Sequence, residues 1–91
     1  MDQMNKAVVT VVGKDTIGII AQVSTVLARQ EVNILDISQT VLSGMFNMMM
    51  IVDISLSRFE AIEEELAKLA EEKGLQIRIQ RSEIFDAMHR I

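Results

Sequence analysis

The sequence predicts a single α+β domain: a βαββαβ ferredoxin-like sandwich, with a four-stranded antiparallel sheet and two helices on one face. The first observation is that strand-like runs, β-branched or alternating with period two, cover residues 6–12, 32–42, 45–56 and 75–81. The second is that segments with helical periodicity separate the first run from the second and the third from the fourth. Because crossovers between strands are right-handed, both helices fall on the same side of the sheet.

Length and composition are those of a small domain with a rich core. The 91 residues make one domain, with a core over residues 6–81 and a C-terminal extension over 82–91. Apolar residues make up 49% of the chain, so the core is large for this length. A domain this short buries a modest fraction of its surface and often gains stability from a partner.

Charge and aromatic content argue against a nucleic-acid partner. The net charge is −4, which is unfavourable for binding a phosphate backbone. RNA-recognition domains with the same strand order stack bases on aromatic side chains of their central strands. This chain has three Phe and no Trp or Tyr, and the one Phe in those strands, Phe46, falls on the predicted core face.

The absence of cysteine removes disulfides and thiolate metal sites, including the Cys-x-x-Cys loop of metal-carrier domains. No signal peptide is visible over residues 1–6, and no apolar run approaches the length that spans a bilayer. We therefore expect a cytoplasmic protein with no membrane partner, no metal and no cofactor.

The first strand, residues 6–12, leads into a polar loop that opens the first helix. The strand is apolar on both sides, which is typical of a central strand. The loop, GKDTIG, places Gly13 and Gly18 around Lys14 and Asp15. Backbone N–H groups at a helix N-terminus lack intrahelical partners and favour a small anion, so we expect any ligand site here. The alternative is that the glycines only permit the turn and that Asp15 or the residue after it caps the helix.

The first helix is predicted from residue 16 or 17 to residue 30. Its polar residues share one stripe: Gly18, Gln22, Thr25 and Arg29. Apolar and small residues fill two adjoining bands: Ile17, Ile20, Ala21, Ser24, Leu27 and Ala28, then Ile19, Val23 and Val26. Together the bands span about 220°, well beyond the roughly 100° that one buried face needs. Either a second protein surface covers part of the helix, which predicts at least a dimer, or the helix packs deeply within its own domain.

Two long strands joined by Ser43-Gly44 predict a β-hairpin. One face of its first strand carries Leu35, Ile37, Gln39 and Val41, and the other face carries Asp36, Ser38 and Thr40. The core face of its second strand carries Phe46, Met48, Met50, Val52, Ile54 and Leu56. Since both helices cover the same side of the sheet, Met49 and Ile51 lie on the face that stays open.

The second helix is predicted to begin with the S-x-x-E capping box of Ser57 and Glu60 and to end at Gly74. Its apolar stripe is narrow: Phe59, Ile62, Leu66 and Leu69. The acidic residues outside the stripe are typical of a solvated surface helix.

Residues 75–81 alternate cleanly between apolar and polar, which suits an edge strand. The residues that follow have helical spacing in their apolar positions: Ile84, Phe85, Met88 and Ile91. We therefore expect a short C-terminal helix that covers an apolar patch on its own sheet or on a partner's.

No catalytic activity is predicted. Nucleophilic catalysis needs a hydroxyl or thiol beside a base, and the only histidine, His89, lies in the extension. Asp15 and Asp36 could be imagined as an acid–base pair, but nothing in their spacing favours it. The residues therefore point to a binding protein rather than an enzyme.

The motif GKDTIGI at residues 13–19, followed by a helix and by VNI at residues 32–34, resembles the ACT domain, a βαββαβ module that commonly binds amino acids. The resemblance covers residues 6–81 and is closest to small stand-alone ACT proteins. The chain is also similar to the ACT portions of glycine-cleavage regulators and formyltetrahydrofolate deformylases. Many members carry Arg-Pro before the second glycine, where this chain has Thr16-Ile17.

The resemblance implies a homodimer or higher homo-oligomer, because ACT domains usually associate side by side or face to face. It implies a ligand between the loop after the first strand and the second strand of the neighbouring protomer. The candidate ligand-binding residues are then Gly13, Lys14, Asp15, Gly18 and Ile19 from the loop, and Asn33, Ile34 and Asp36 from across the interface. Loop amides would take an α-carboxylate, and Asp15 or Asp36 would pair with an α-ammonium. The alternative is that Asn33 only turns the chain into the strand and that Asp36 is a polar residue on a solvated face.

We therefore expect a regulatory ACT homodimer that senses an amino acid or similar small ligand and catalyses no reaction. The other interpretation is a ligand-free interaction module that regulates a metabolic enzyme or a transcription factor. Such a module would dock through its wide apolar helix or its open sheet face.

Overall fold

The computed structural model of the chain describes residues 5–14 and 17–81. The elements are β1 (Lys6–Lys14), α1 (Ile19–Arg29), β2 (Asn33–Leu42), β3 (Met45–Asp53), α2 (Phe59–Lys73) and β4 (Gln76–Arg81). The four strands form one antiparallel sheet in the order β2-β3-β1-β4. The predicted βαββαβ ferredoxin-like sandwich is therefore confirmed, and β4 lies at an edge as predicted. The helix predicted over residues 82–91 lies outside the described residues.

Both helices pack on the same face of the sheet. Alternate residues of the central strands are buried there: Ala7, Val9 and Val11 of β1, and Phe46, Met48, Met50 and Val52 of β3. They form one cluster with Ile19 and Val23 of α1 and with Ile62 and Leu66 of α2. Each large apolar side chain buried in this way contributes about 1.5–3 kcal/mol relative to an exposed one. No polar or charged side chain among the described residues is buried.

The first helix begins later than its sequence periodicity indicates. Gly18 is the N-cap, with φ 89° and ψ 6°. This left-handed conformation cannot continue a right-handed helix, so the predicted start at residue 16 or 17 is wrong. Ile17 lies in the turn before the helix and is fully exposed. The helix ends at Arg29, and the N–H of Val32 then donates to the carbonyl of Leu27 at 2.9 Å.

The hairpin is confirmed. Ser43 and Gly44 have φ of 54° and 78°, the positive values of a two-residue type I′ turn. The alternation predicted for β2 is interrupted, because the register shifts between Ile34 and Asp36. Leu35 is therefore the extra residue of a β-bulge, and the regular alternation holds only from Asp36 onward.

The third strand ends before its predicted last residues. The carboxylate of Asp53 accepts hydrogen bonds from Ser55 Oγ at 2.5 Å and from Ser55 N at 3.0 Å. This local turn competes with strand pairing. Ile54 is still buried, but Leu56 is exposed rather than part of the core.

The predicted capping box of the second helix is wrong. The N-cap is Arg58, and no side-chain hydrogen bond caps this end. The hydroxyl of Ser57 donates instead to the carbonyl of Gln30, just after α1. The C-terminal end is as predicted, since Gly74 adopts φ 67°. The predicted stripe is also confirmed: Ile62, Leu66 and Leu69 are buried, and Phe59 packs against the core.

Candidate functional site

The two halves of the predicted ligand site lie at opposite ends of the sheet within one protomer. Gly13 pairs with Phe46, which pairs with Val41 near the end of β2. Asn33, at the start of β2, pairs with Asp53 at the far end of β3. At about 3.4 Å per residue, the start of β2 is about 17–24 Å from the level of Gly13. A single protomer therefore does not bring the loop residues and the β2 residues together.

The loop half surrounds the N-terminus of α1. Lys14 is the exposed last residue of β1, and Asp15 lies outside the described residues. The first helical hydrogen bond runs from Gln22 N to Gly18 O at 2.9 Å. The three N–H groups that precede Gln22 in the helix therefore have no intrahelical acceptor. Ile19 is buried in the core, so only its backbone is available to a ligand.

The structure requires glycine at Gly13 and at Gly18 for different reasons. A Cβ placed on Gly13 would overlap the side chain of Leu75, which packs over the end of β1. Close packing therefore explains Gly13 without a ligand. A Cβ on Gly18 would meet only Gln22 Nε2, at 3.8 Å. The requirement at Gly18 comes from its positive φ, and the space beside it is open.

The strand half combines two exposed polar side chains with a bulge. Asn33 and Asp36 are exposed, while Ile34 packs against the core. Asp36 Oδ1 accepts a hydrogen bond from the N–H of Ile37 at 2.9 Å, which fixes the carboxylate beside the bulge. Bulges occur often next to binding sites because they redirect side chains. Nothing in the alternation of apolar and polar residues indicated this bulge.

The whole of β2 is an exposed edge strand. Its apolar side chains remain accessible: Leu35 at 40%, Ile37 at 44%, Val41 at 53% and Leu42 at 74%. The opposite edge, β4, is polar where it is exposed and carries two arginines, Arg78 and Arg81. An apolar edge strand with free backbone groups is a template for pairing with another strand. Sequence reasoning identified the alternation of β2 but missed that neither of the two described helices covers it.

The first helix leaves part of its wide apolar arc exposed. One side of α1 is buried: Ile19, Val23, Val26 and Leu27. Ile20 is 37% exposed. The side of α1 that faces α2 carries Arg29, whose guanidinium contacts Glu65 Oε1 at 2.8 Å. Ile20 is nine residues from Arg29, about 180° around the helix, so it lies on the side of α1 turned away from α2.

A groove of about 520 Å³ lies between α1 and α2. Its lining mixes charges of both signs, including Arg29, Glu65, Lys68 and Glu72. The ion pair between Arg29 and Glu65 is solvent-exposed and therefore weak. Among the residues that the structure describes, no cluster of His, Cys, Asp and Glu could hold a metal ion. In the same part of the chain, no helix is long and apolar enough to cross a membrane.

Comparison with known proteins assigns the class. The ACT domain family matches residues 5–80, so the chain belongs to the ACT domain family. A UPF0237 protein of Bifidobacterium longum is 56% identical over 90 residues, which cover 97% of this chain and 100% of the relative. The chain is therefore similar over its whole length to a relative of the same size, as the resemblance implied.

Solved structures agree. An ACT domain protein from Streptococcus pneumoniae has a TM-score of 0.80 and 40% identity, covering 91% of this chain and 96% of that one. A formyltetrahydrofolate deformylase from Pseudomonas syringae pv. tomato has a TM-score of 0.80 and 27% identity, covering 88% of this chain and 28% of that one. A putative glycine cleavage system transcriptional repressor has a TM-score of 0.79 and 25% identity, covering 88% of this chain and 47% of that one. This chain is thus similar to single portions of larger proteins and to a stand-alone ACT protein.

Proposed function

We propose that this chain is a regulatory ACT homodimer that binds an amino acid or similar small ligand between its protomers and catalyses no reaction. The observation that carries the proposal is the position of the two half-sites at opposite ends of one sheet. If they form a single site, they must come from two different chains. The exposed apolar edge at β2 offers the surface for that association.

A two-fold pairing of β2 with β2 satisfies this requirement. In an antiparallel pair around a two-fold axis, the start of one β2 lies beside the end of the other. The end of β2 is level with Gly13, because Val41 and Gly13 both pair with Phe46. Asn33 and Asp36 of one protomer would therefore come level, along the strand direction, with the loop end of the other. The same pairing covers Ile37 and brings the Ile20 sides of the two α1 helices together.

The two half-sites suit a zwitterion. Free N–H groups at the start of α1, with the positive end of the helix dipole, favour a carboxylate. Lys14 adds a positive charge at this end. Asp36 from the partner protomer would pair with an ammonium group, and the amide of Asn33 can donate or accept. The candidate site residues are thus Gly13, Lys14, Asp15, Gly18 and Ile19 of one protomer with Asn33, Ile34 and Asp36 of the other.

The second candidate function is a ligand-free interaction module, and the exposed apolar residues of α1 and β2 favour it. These residues account for association with another protein without any ligand. The glycine cleavage repressor in which a similar portion occurs is by its name a transcriptional regulator. A module of this kind would modulate an enzyme or transcription factor directly.

A thermal-shift screen with each of the twenty amino acids separates the two functions. A ligand that binds only the folded dimer raises the melting temperature by mass action, with about 2.7 kcal/mol of stabilisation at a hundredfold excess over Kd. We expect one amino acid to raise it, and Asp36→Asn to abolish that rise without changing the melting temperature of the free protein. Glu64→Gln on α2 is the matched control and should keep the full response. If none of the amino acids changes the melting temperature, the interaction module is the better account.

A further inference from the structure

The exposed edge strand β2 contains a segment whose residue types are symmetric about its centre. Residues 37–41, ISQTV, have a β-branched apolar residue at each end, a hydroxyl residue next to each end, and Gln39 in the middle. All of them are exposed in the single protomer. A two-fold interface presents the same surface on both subunits, so it requires a surface that complements itself. The pattern of residues 37–41 meets that requirement.

A bulge limits how far β2 can pair regularly with a second strand. Residues 36–42 pair with β3 in unbroken register, whereas the extra residue, Leu35, interrupts the register on their N-terminal side. A bulge disrupts the ladder locally and bends the strand. The segment available for a second regular ladder is therefore 36–42, and its midpoint is again Gln39.

The alternation of faces restricts where a two-fold axis can cross β2. The side chains of Ile37, Gln39 and Val41 lie on the helix side of the sheet, because their partners on β3 are core residues. Two antiparallel edge strands related by a two-fold axis need that axis perpendicular to the sheet, and directly paired side chains then share a face. Paired residue numbers are therefore both odd or both even, so the axis passes through one residue that pairs with its own copy.

Among these registers, the one with Gln39 on the axis pairs similar residues along the whole segment 37–41. It sets Ile37 opposite Val41 of the partner protomer, and Ser38 opposite Thr40. Directly opposed Ser and Thr stabilise a sheet, β-branched side chains pack well on a pleated surface, and two Gln amides can donate to and accept from each other. An axis through Ser38 or Thr40 would instead set Gln39 against an apolar side chain. It would also set one end of the segment against the bulge or the hairpin turn.

Residues 37–41 also lack the features that protect an edge strand from pairing. They include no charged residue and no proline, which natural edge strands use against association. The opposite edge strand, β4, carries Arg78 and Arg81. Charge therefore opposes strand pairing at β4 and does not oppose it at β2.

We propose that two copies of the chain join through an antiparallel β2–β2 ladder whose two-fold axis passes through Gln39, with residues 36–42 of the two strands paired. This register rests on the association through β2 that the proposed function requires, and it adds the alignment of the two strands. Asp36 of the partner protomer then stands opposite Leu42, in the row of paired residues that continues through Met45 to Lys14. The register thus determines where the partner's half of the candidate site lies.

A cysteine scan of β2 in the full chain tests the register, because the native chain contains no cysteine. The single variants are Ile37→Cys, Ser38→Cys, Gln39→Cys, Thr40→Cys and Val41→Cys. A residue on the axis faces its own copy at about 4.5–5.5 Å between Cα atoms, within the roughly 7 Å that a disulfide allows. One residue away from the axis, the two Cα atoms are about 8–9 Å apart.

We expect Gln39→Cys to form a disulfide-linked dimer at least about tenfold faster than Ser38→Cys or Thr40→Cys. Each rate is normalised to the reaction of the same thiol with a small maleimide. Gln80→Cys on β4 is the control for random collision and should be slow. A different position of β2 reacting fastest, or equal rates along β2, would overturn the register while association through β2 stands. Rates as slow as the control at all five positions would overturn both.

Complementary charges give a second measurement that needs no disulfide. Ile37→Lys alone should prevent association, and the addition of Val41→Glu should restore it, because opposite charges then face each other across the interface. Within one strand these two positions are about 14 Å apart, so the new charges cannot pair in the same chain. Light scattering should give at least twice the 10.2 kDa protomer mass for the double variant.

The matched control is Ile37→Lys with Gln39→Glu. These two substitutions face each other only if the axis passes through Ser38, so we expect this variant to remain at the 10.2 kDa protomer mass. Association of this control variant, with none for the pair of Ile37→Lys and Val41→Glu, would overturn the proposed register.

Discussion

Gly18 shows how a single backbone conformation determines which experiment is informative. A glycine inside the first helical turn would be expected to tolerate alanine or gain stability from it. Gly18 instead precedes the helix with φ 89°, a region where a side chain is strained whatever the available space. Gly18→Ala therefore cannot by itself distinguish a ligand site from a turn. Asparagine populates this left-handed conformation more readily than alanine does. Gly18→Asn therefore distinguishes a ligand site from a turn with less backbone strain.

We expect Gly18→Ala to lower the free energy of unfolding by about 1–2 kcal/mol, and Gly18→Asn to lower it by less. Chemical denaturation measures both. Gly74→Asn is the control, because Gly74 also has a positive φ, lies at the end of α2 and has nothing near its Cβ position. Gly18→Asn should weaken the ligand response by crowding the open space, whereas Gly74→Asn should not. A Gly18→Ala protein as stable as the unchanged one would contradict the left-handed cap.

Asp53 is a second single residue that provides a prediction, here a pH-dependent one. Hydrogen bonds from the Ser55 hydroxyl, and then from the Ser55 N–H, hold the pKa of Asp53 below its ordinary value, and Lys6 acts in the same direction. A lowered folded-state pKa stabilises the protein above the unfolded pKa, and this contribution is lost as the pH falls through the folded pKa. Ser55→Ala should raise the pKa of Asp53, measured by NMR titration of its carboxyl carbon. The part of its stability deficit that comes from Asp53 should vanish once Asp53 is protonated, whereas the part that comes from the lost acceptor of the Asn5 N–H should remain. An unchanged pKa would show that the hydrogen bond from the Ser55 hydroxyl to Asp53 is absent in solution.

Among the elements, the contrast between α1 and α2 was predictable from their sequences. The narrow stripe of α2 is buried against the domain's own core, and the wide arc of α1 leaves Ile20 accessible. The sequence pattern of β2 could not indicate that this strand lies uncovered at the edge of the sheet. Alternation is the same for an edge strand covered by a helix and for one left uncovered, and only the assembled sheet order separates them. The bulge at Leu35 was equally hidden, because one extra residue changes pairing without changing composition.

The candidate ligand site, like the fold, was predictable from the sequence only in part. The glycines and polar residues around the first helix follow from local chemistry, so the loop could be proposed as one half-site. The distance of that half-site from Asn33 depends on the assembled sheet, in which β1 and β2 run in the same direction, so that the end of β1 and the start of β2 lie at opposite ends. The capping box at Ser57 failed for a related reason. A tertiary acceptor, the carbonyl of Gln30, takes the hydroxyl that local sequence assigned to the helix end.

A third prediction concerns the exposed edge strand β2. Ile37→Lys places a charge in the middle of β2, at a side chain that is 44% exposed in the single protomer. The protomer should fold with a stability change within about 1 kcal/mol, while association through β2 should fail because the charge would be buried without a partner. Gln80→Lys on the other edge strand, β4, is the control and should leave association intact. Equal oligomeric states in the two variants, measured by size-exclusion chromatography, would rule out β2 as the interface.

At the scale of the whole molecule, one architecture explains several features together. The fold leaves an apolar edge at β2, an uncovered part of α1 and two candidate half-sites at opposite ends of the sheet. Each feature is left open in one protomer, and the proposed two-fold axis, which is perpendicular to the paired β2 strands, would complete all three. The small size of the domain adds to the argument, because a 91-residue chain gains from burying surface against a partner.

Light scattering on the purified, unchanged protein at micromolar concentration tests this central claim most directly. The protomer mass is 10.2 kDa. A site built from two protomers requires association, so we predict a molar mass of at least twice the 10.2 kDa protomer mass. A molar mass of 10.2 kDa across the micromolar range would contradict the account, because neither half-site could then meet its complement.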